Sequence, residues 1–182
     1  MLLVPGTGTR PILDRVKTAL FDILRPRIDG MRVLDLFAGS GSVGIEALSQ
    51  GAAHCTFIDL GNQAIATIKQ NLLSTGFSES CTVHQTNALD FLRSTPRSFD
   101  LIYVAPPQYK NLWVDALKVL AARPDLLAAA SEDNSGPGLV IVQIDPKEYE
   151  TLDLGELCEI RQKRYGNTLL VFFERPGVDA PD

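Results

Sequence analysis

Apolar and polar residues alternate along this chain in blocks whose spacing predicts strands and helices in turn. Five short segments predict strands: residues 31–36, 55–58, 81–84, 101–104 and 139–144, the last of them nearly continuously apolar, as in a strand buried on both faces. The segments between them carry apolar residues at helical spacing: residues 43–48, 63–73, 88–93 and 111 to about 130, with an interruption near Pro124. This alternation predicts right-handed crossovers and a parallel sheet with helices on both faces.

Both ends of the chain depart from that pattern. Residues 12–24 form an amphipathic segment that predicts a first helix, with Pro11 before it as an entry signal. Residues 156–165 and 168–174 are strand-like runs joined by Gly166-Asn167, a connection that suits a tight hairpin. The predicted fold class is therefore α/β and Rossmann-like: a single, mostly parallel sheet of about seven strands with a C-terminal antiparallel hairpin.

The length and composition suit one compact domain in water. The chain has 182 residues, of which 45% are hydrophobic and 21% charged, and no apolar stretch reaches the roughly 18 residues that cross a bilayer. We expect one domain over residues 1–182, with an N-terminal arm and helix (1–30), a core (31–175) and a tail (176–182). No export or organelle signal is recognisable, so we expect a cytoplasmic monomer, or an organelle stroma if a leader was removed.

Charge and cysteine content limit the classes of ligand and partner that the protein is expected to bind. Three scattered cysteines and two isolated histidines indicate reduced thiols and no metal site. The net charge is -5, but residues 1–32 carry six basic and three acidic side chains. A basic face on an acidic body suits a phosphate-bearing substrate, with Arg10, Arg15 and Lys17 as candidate contacts. An ordinary solvated helix face explains this charge pattern equally well.

A glycine-rich turn follows the first predicted strand. Gly39, Gly41 and Gly44 match the GxGxxG pattern between a strand and a helix, where backbone amides can face a ligand closely. This pattern serves NAD, FAD or S-adenosylmethionine. Asp59 ends the second strand 18 residues after Gly41, where a carboxylate can accept both hydroxyl hydrogens of an unphosphorylated ribose.

A second acidic residue helps to distinguish among these three cofactors. Asp35 stands four residues before Gly39, at the exit of the first strand. A carboxylate there would repel a pyrophosphate but suits the amino group and positive charge of a sulfonium cofactor. The alternative is a carboxylate that caps local backbone amides.

Residues 35–41 resemble motif I of class I methyltransferases, and further segments widen the match. Residues 9–16, 34–49, 57–59, 99–107 and 164–168 together resemble the bacterial small-subunit ribosomal RNA guanine-N2 methyltransferases of the RsmD type. The resemblance implies S-adenosylmethionine as cofactor and 16S rRNA, free or in the 30S particle, as substrate. It implies cofactor contacts from Asp35, Phe37, Gly39, Ser40, Gly41, Asp59, Leu60, Asn87 and Ala88. Asn87 stands where the family usually has Asp, and an ordinary helix N-cap explains it equally well.

The predicted catalytic loop departs from the family. It comprises Ala105, Pro106, Pro107, Gln108 and Tyr109 after the fourth strand, and the family usually has Asp or Asn at the first of these positions. An exocyclic amine is a poor nucleophile, so acceptors must hold its hydrogens, and Ala105 offers none in its side chain. Asp100 lies too far upstream, so the amide of Gln108 and the ring of Tyr109 are the candidates that complete the base pocket. Prolines that merely shape a turn are the alternative interpretation.

Two departures keep other function classes open. Only eight residues precede Thr9, where the family carries a longer basic segment, so a weaker grip on RNA is expected. Together with Ala105, this keeps a non-catalytic RNA-binding or ribosome-assembly factor as the alternative. A nicotinamide oxidoreductase ranks below both, since the Pro-Pro loop has no evident use in hydride transfer.

Overall fold

The computed structural model describes residues 2–3, 14–129 and 136–175. Its strands are β1 Arg32–Asp35, β2 His54–Asp59, β3 Cys81–Gln85, β4 Leu101–Val104, β5 Leu139–Ile144, β6 Cys158–Tyr165 and β7 Thr168–Glu174. They form a seven-stranded sheet in the order β3-β2-β1-β4-β5-β7-β6. Strands β1 to β5 are parallel, and β7 runs antiparallel to both β5 and β6. The predicted parallel sheet with a terminal antiparallel hairpin is confirmed.

Five α-helices accompany these strands among the described residues. They are α1 Asp14–Leu24, α2 Ser42–Ser49, α3 Asn62–Thr75, α4 Ala88–Ser94 and α5 Leu112–Ala122. The prediction that the last helix extends to about residue 130 is wrong, because α5 ends at Ala122 and Leu127 pairs with Phe99. Pro124 explains the difference, since a proline disfavours helical backbone in the residue before it and has no N–H to donate. No helix in the described part of the chain is long and apolar enough to span a bilayer.

Alternation along each strand divides the core between the two faces of the sheet. On β4, Leu101 and Tyr103 face the cluster that contains α1, α2 and α3, whereas Ile102 and Val104 face the cluster that contains α4 and α5. Side chains of successive strand residues point to opposite faces, so a continuous apolar run serves both layers. The prediction of helices on both faces is confirmed.

The order in which successive strands are added to the sheet reverses at its centre. From β1 it proceeds outward through β2 and β3, and it then returns to place β4 on the other side of β1. Asp35 at the end of β1 lies in register with Tyr103 near the end of β4. In open α/β sheets a crevice forms at the carboxyl ends of the strands beside such a reversal. The loops after β1, β2, β4 and β5 therefore meet at one edge.

Candidate functional site

The glycine loop between β1 and α2 is shaped by left-handed backbone. Gly39 has φ 55° and Gly41, the N-cap of α2, has φ 75°, a region that glycine adopts without steric cost. Gly44 serves another purpose, because a Cβ there would lie 2.3 Å from the ring of Phe57. The first two glycines of the motif thus form the turn, and the third allows α2 to pack closely on β2.

Asp59 ties this loop to the next helix. It ends β2, as predicted, and its Oδ2 accepts the Gly39 N–H at 2.9 Å while its Oδ1 accepts the Gly61 N–H at 2.8 Å. Each carboxylate oxygen has a further lone pair, so the group retains acceptors for a ribose. The neighbouring Leu60 leaves 67% of its surface exposed, an apolar surface beside the acid.

Asp35 is buried at the start of the crevice, with 2% exposure. Its Oδ2 accepts the Gly44 N–H at 3.1 Å in the first turn of α2. Burial raises the pKa of Asp35 to about 7, while the Gly44 N–H opposes that rise and the nearby charge of Asp59 adds to it. The capping role considered from the sequence is present in the structure. A contact with a cationic ligand stays a prediction, and a cation there would favour the ionised carboxylate.

A buried side chain that sequence reasoning missed holds the same loop. Asn71 on α3 is 1% exposed, and its Nδ2 donates to the carbonyl oxygens of Ser40 and Leu3, both at 2.9 Å. Its Oδ1 accepts the Leu3 N–H at 2.8 Å. The available signal was an amide on the apolar stripe of α3 formed by Ile68 and Leu72. Asn71 therefore links the chain start, the glycine loop and α3.

Asn87 occupies the N-cap of α4. Its Oδ1 accepts the N–H groups of Leu89 at 2.9 Å and Asp90 at 3.2 Å. The oxygen that an adenine amino group would need already receives two hydrogens, and the Nδ2 end of the amide only donates. The adenine contact of Asn87 stays a prediction, as does that of Ala88, which is buried at the first position of the helix. Phe37 packs against the core on the α4 and α5 side and also remains a predicted contact.

The loop after β4 carries the predicted catalytic residues. Ala105, Pro106 and Gln108 are half-buried, whereas Pro107 and Tyr109 are exposed. Tyr109 has left-handed backbone with φ 60°, and its N–H donates to Glu148 Oε2 at 2.7 Å. Its Oη donates to Asp145 Oδ2 at 3.2 Å. The structure thus connects the loop after β4 to the segment after β5.

Acidic residues stand at both edges of the sheet. Asp100 precedes β4 and accepts the N–H of Arg32 at 2.7 Å, so it lies at the amino edge, far from the glycine loop. Asp145 directly follows β5 at the carboxyl edge and caps the single-turn helix Pro146–Glu148. Asp100 was the only substitute carboxylate that sequence reasoning considered, and Asp145 was missed. The signal was an acid directly after a buried parallel strand, close to the position of Asp59, which is the last residue of β2.

The predicted phosphate contacts are separated by the structure. Arg15 lies at the exposed start of α1, and its Nη2 would be 3.1 Å from a Cβ built on Gly166 in the β6–β7 turn. Arg164 donates to the carbonyl of Gly166 at 3.1 Å. Lys17 instead pairs with Glu46 at 3.6 Å, and Arg10 lies outside the described residues. Ile144 at the end of β5 pairs with Leu169 at the start of β7. The β6–β7 turn therefore also lies at the carboxyl edge.

The donor set at this edge fits S-adenosylmethionine. Asp35 is a buried carboxylate that a nearby cation would stabilise, Asp59 has lone pairs that could accept from ribose hydroxyls, and Leu60 is an exposed apolar side chain against which an adenine ring could pack. The Gly44 N–H in the first turn of α2 donates to the Asp35 carboxylate. Within the described ranges, no three His, Cys, Asp or Glu side chains come together as they would around a metal ion.

Solved structures share this architecture. A hypothetical protein of Thermus thermophilus, TTHA0928, matches with a TM-score of 0.78 and 30% identity over 96% of this chain and 92% of that one. An RNA methyltransferase from Salinibacter ruber in complex with S-adenosyl-L-homocysteine matches with a TM-score of 0.66 at 13% identity, covering 95% of this chain and 97% of that one. The sheet order and these neighbours define a class I methyltransferase fold, the class whose cofactor is S-adenosylmethionine.

The chain belongs to the family described as Conserved hypothetical protein 95, whose model matches residues 1–174. A Bacillus subtilis relative named "Putative rRNA methyltransferase YlbH" is 36% identical over 177 residues, covering 96% of this chain and 92% of the relative. The Haemophilus influenzae "Ribosomal RNA small subunit methyltransferase D" is 40% identical over 116 residues, which span 62% of this chain and 60% of that protein. The RsmD-type resemblance predicted from the sequence is confirmed.

Proposed function

We propose that this protein methylates the exocyclic N2 amine of a guanine in small-subunit ribosomal RNA, with S-adenosylmethionine as the methyl donor. One observation carries the proposal. The glycine loop follows β1 and the Pro106-Pro107 turn follows β4, and these strands are parallel neighbours in which Asp35 pairs with Tyr103. A cofactor held by the first loop would therefore stand beside an amine held by the second. The names of the relatives support RNA as substrate, and the family resemblance supports guanine N2.

One group of these residues binds the cofactor, and another binds the base. The cofactor supplies a methyl group on a positively charged sulfur. Asp35 faces its cationic amino-acid portion, while Asp59 accepts from the ribose and Leu60 covers the adenine. The carbonyl oxygens of Ala105 and Pro106 accept hydrogens of the base amine, which turns its nitrogen lone pair toward the methyl group.

Transfer of a radiolabelled methyl group to purified small subunits tests this function. We expect label in RNA from subunits of a strain that lacks the enzyme, and mass mapping should place it on one guanine N2. Asp59→Ala should weaken cofactor binding and transfer, whereas Glu79→Gln, at an exposed position in the turn before β3 and therefore at the opposite, amino edge, should leave both unchanged. Persistence of every guanine-N2 mark in the deletion strain would overturn the proposal.

Ala105 favours a second candidate, a ribosome-assembly factor that keeps the fold and binds RNA without methyl transfer. This hypothesis predicts binding to small subunits with no label transferred even in a single turnover. Appreciable transfer by the wild-type protein would eliminate it. In either case we propose that the protein is cytoplasmic and monomeric. Sedimentation of the purified chain would test the monomeric state.

A further inference from the structure

Strand β6 forms the outer edge of the described sheet and carries two cations on one of its faces. Arg161 stands opposite Phe172 of β7, and Lys163 stands opposite Leu170. Directly opposite residues of an antiparallel pair share a face of the sheet. Because Phe172 and Leu170 belong to the core cluster that contains α1, Arg161 and Lys163 lie on the α1 side. Two residues along a strand separate them by about 7 Å.

A bulge in β6 keeps the neighbouring acidic residue off this face. Glu159 and Arg161 are two residues apart, so regular alternation would place both side chains on the same face. The register shifts between them, and Ile160 is the extra residue. As a result Glu159 pairs with Phe173, which belongs to the core cluster on the α4 and α5 side. A bulge redirects side chains in this way, and Glu159 therefore lies on the face opposite to Arg161.

The contacts of Glu159 agree with that placement. Its Oε2 accepts from Tyr149 Oη at 2.9 Å, and its Oε1 accepts from Gln162 Nε2 at 2.6 Å. Tyr149 packs against the core on the α4 and α5 side, and Gln162 stands opposite Val171 of the same cluster. Hydrogen bonds thus hold the negative charge of Glu159 on the face that does not carry the two cations.

Arg15 extends the cationic face to the carboxyl edge of the sheet. It lies at the exposed start of α1, and its Nη2 would be 3.1 Å from a Cβ built on Gly166 in the β6–β7 turn. That turn lies at the same edge as the glycine loop and the Pro-Pro turn. Arg161, Lys163 and Arg15, which we call the basic strip, therefore lead from the middle of β6 toward the proposed active site, over a length of about 17 Å.

We propose that the basic strip binds phosphate groups of the RNA on one side of the methylated nucleotide. This inference rests on the proposed function, because the RNA whose base reaches the loop after β4 continues over the surface that borders that edge. The chain has a net charge of -5, so a polyanion can approach only a face from which acidic side chains are absent or turned away. The strip leads to the edge where the base is bound, which favours RNA over an acidic protein as its occupant.

Binding of the full chain to a labelled fragment of naked 16S rRNA at several salt concentrations tests the basic strip. Arg161→Gln and Lys163→Gln should each lower the affinity by about three- to tenfold at about 0.1 M salt. Each should also reduce the slope of log affinity against log salt concentration by about one, since one phosphate contact is lost. The double variant should lose about two such contacts.

Two controls test whether position on the β6 face, rather than total charge, determines the effect. Arg93→Gln combined with Lys118→Gln removes the same two charges from exposed positions on α4 and α5, and it should bind RNA as the wild type does. Glu159→Gln should leave the salt slope unchanged, because Glu159 lies on the other face of β6. An equal loss of affinity in the α4 and α5 control, or an unchanged salt slope in the double variant of Arg161 and Lys163, would overturn the proposal.

Single-turnover methyl transfer to small subunits separates this inference from the proposed function. The double variant of the strip should need a higher subunit concentration for half saturation, while its rate at saturation should remain that of the wild type, because the strip contacts phosphates and not the reacting amine. A variant that loses affinity for whole subunits but not for naked rRNA would assign the strip to a ribosomal protein and overturn the RNA contact. If the strip variants lose RNA affinity but the wild type transfers no methyl group to any RNA, the proposed function fails and the RNA contact stands.

Discussion

The buried carboxylate of Asp35 makes the stability of the free protein depend on pH. Asp35 is 2% exposed, and burial raises its pKa from the ordinary value of 3.8 to about 7. A pKa that is higher in the folded than in the unfolded chain means that folding favours the protonated form. The contribution of protonated Asp35 to the free energy of unfolding is fully present below about pH 4 and is lost as pH rises through about 7.

The perturbation that tests this is Asp35→Asn, which keeps an oxygen to accept the Gly44 N–H and removes the titration. A rise in pKa from 3.8 to about 7 corresponds to about 4 kcal/mol, because one pKa unit is about 1.4 kcal/mol. Between pH 4.5 and pH 8.5, we therefore expect the free energy of unfolding of the wild type to fall by about 2 to 4 kcal/mol more than that of Asp35→Asn.

Urea unfolding at both pH values, extrapolated linearly to water, measures that difference. Glu150→Gln is the control for removing one negative charge at an exposed position. The same Asp35→Asn variant should weaken binding of S-adenosylhomocysteine or S-adenosylmethionine if, as proposed, the carboxylate that is costly in the free protein faces a cation in the complex. If the difference between Asp35→Asn and wild type is the same at both pH values, the argument from burial is refuted.

Other predictions concern packing, the glycine loop and RNA. Gly44→Ala should lower the free energy of unfolding by about 1 to 3 kcal/mol, because its Cβ would lie 2.3 Å from the Phe57 ring, and an unchanged urea midpoint would contradict that close contact. Asn71→Leu should destabilise by a similar amount, about 1 to 3 kcal/mol, and weaken cofactor binding in calorimetry, since the Ser40 carbonyl loses its donor. Equal cofactor affinity in that variant would show that the loop needs no support from α3. Arg15→Ala and Arg164→Ala should each weaken RNA binding and reduce its salt dependence by about one phosphate contact, whereas Arg25→Ala, paired with Asp22 on α1, should not. Identical salt slopes for all three would exclude the hairpin turn as an RNA contact.

Local sequence patterns predicted much of this fold. The bounds of β4, β5 and β7 agree with the apolar runs, because strands buried on both faces are apolar over most of their length. The glycine turn, Asp35 at the exit of β1 and Asp59 at the end of β2 also followed from the sequence, since strand ends and left-handed turns leave marks within a few residues. The end of α5 was predicted wrongly because the apolar composition beyond Pro124 serves a bridge to Phe99 as well as it would serve a helix.

The contacts that complete the site came only from the tertiary structure. Asp145 and Tyr109 are separated by 36 residues, and Asn71 and Ser40 by 31, so no spacing rule relates them. The sequence by itself determined which loops follow which strands and which chemical groups they carry. Only the order of strands in the sheet decided which of those groups meet, because β4 packs beside β1 and β5 rather than beside its predecessor β3. That arrangement depends on burying apolar faces from distant segments together, a condition that the whole chain satisfies and no local stretch encodes.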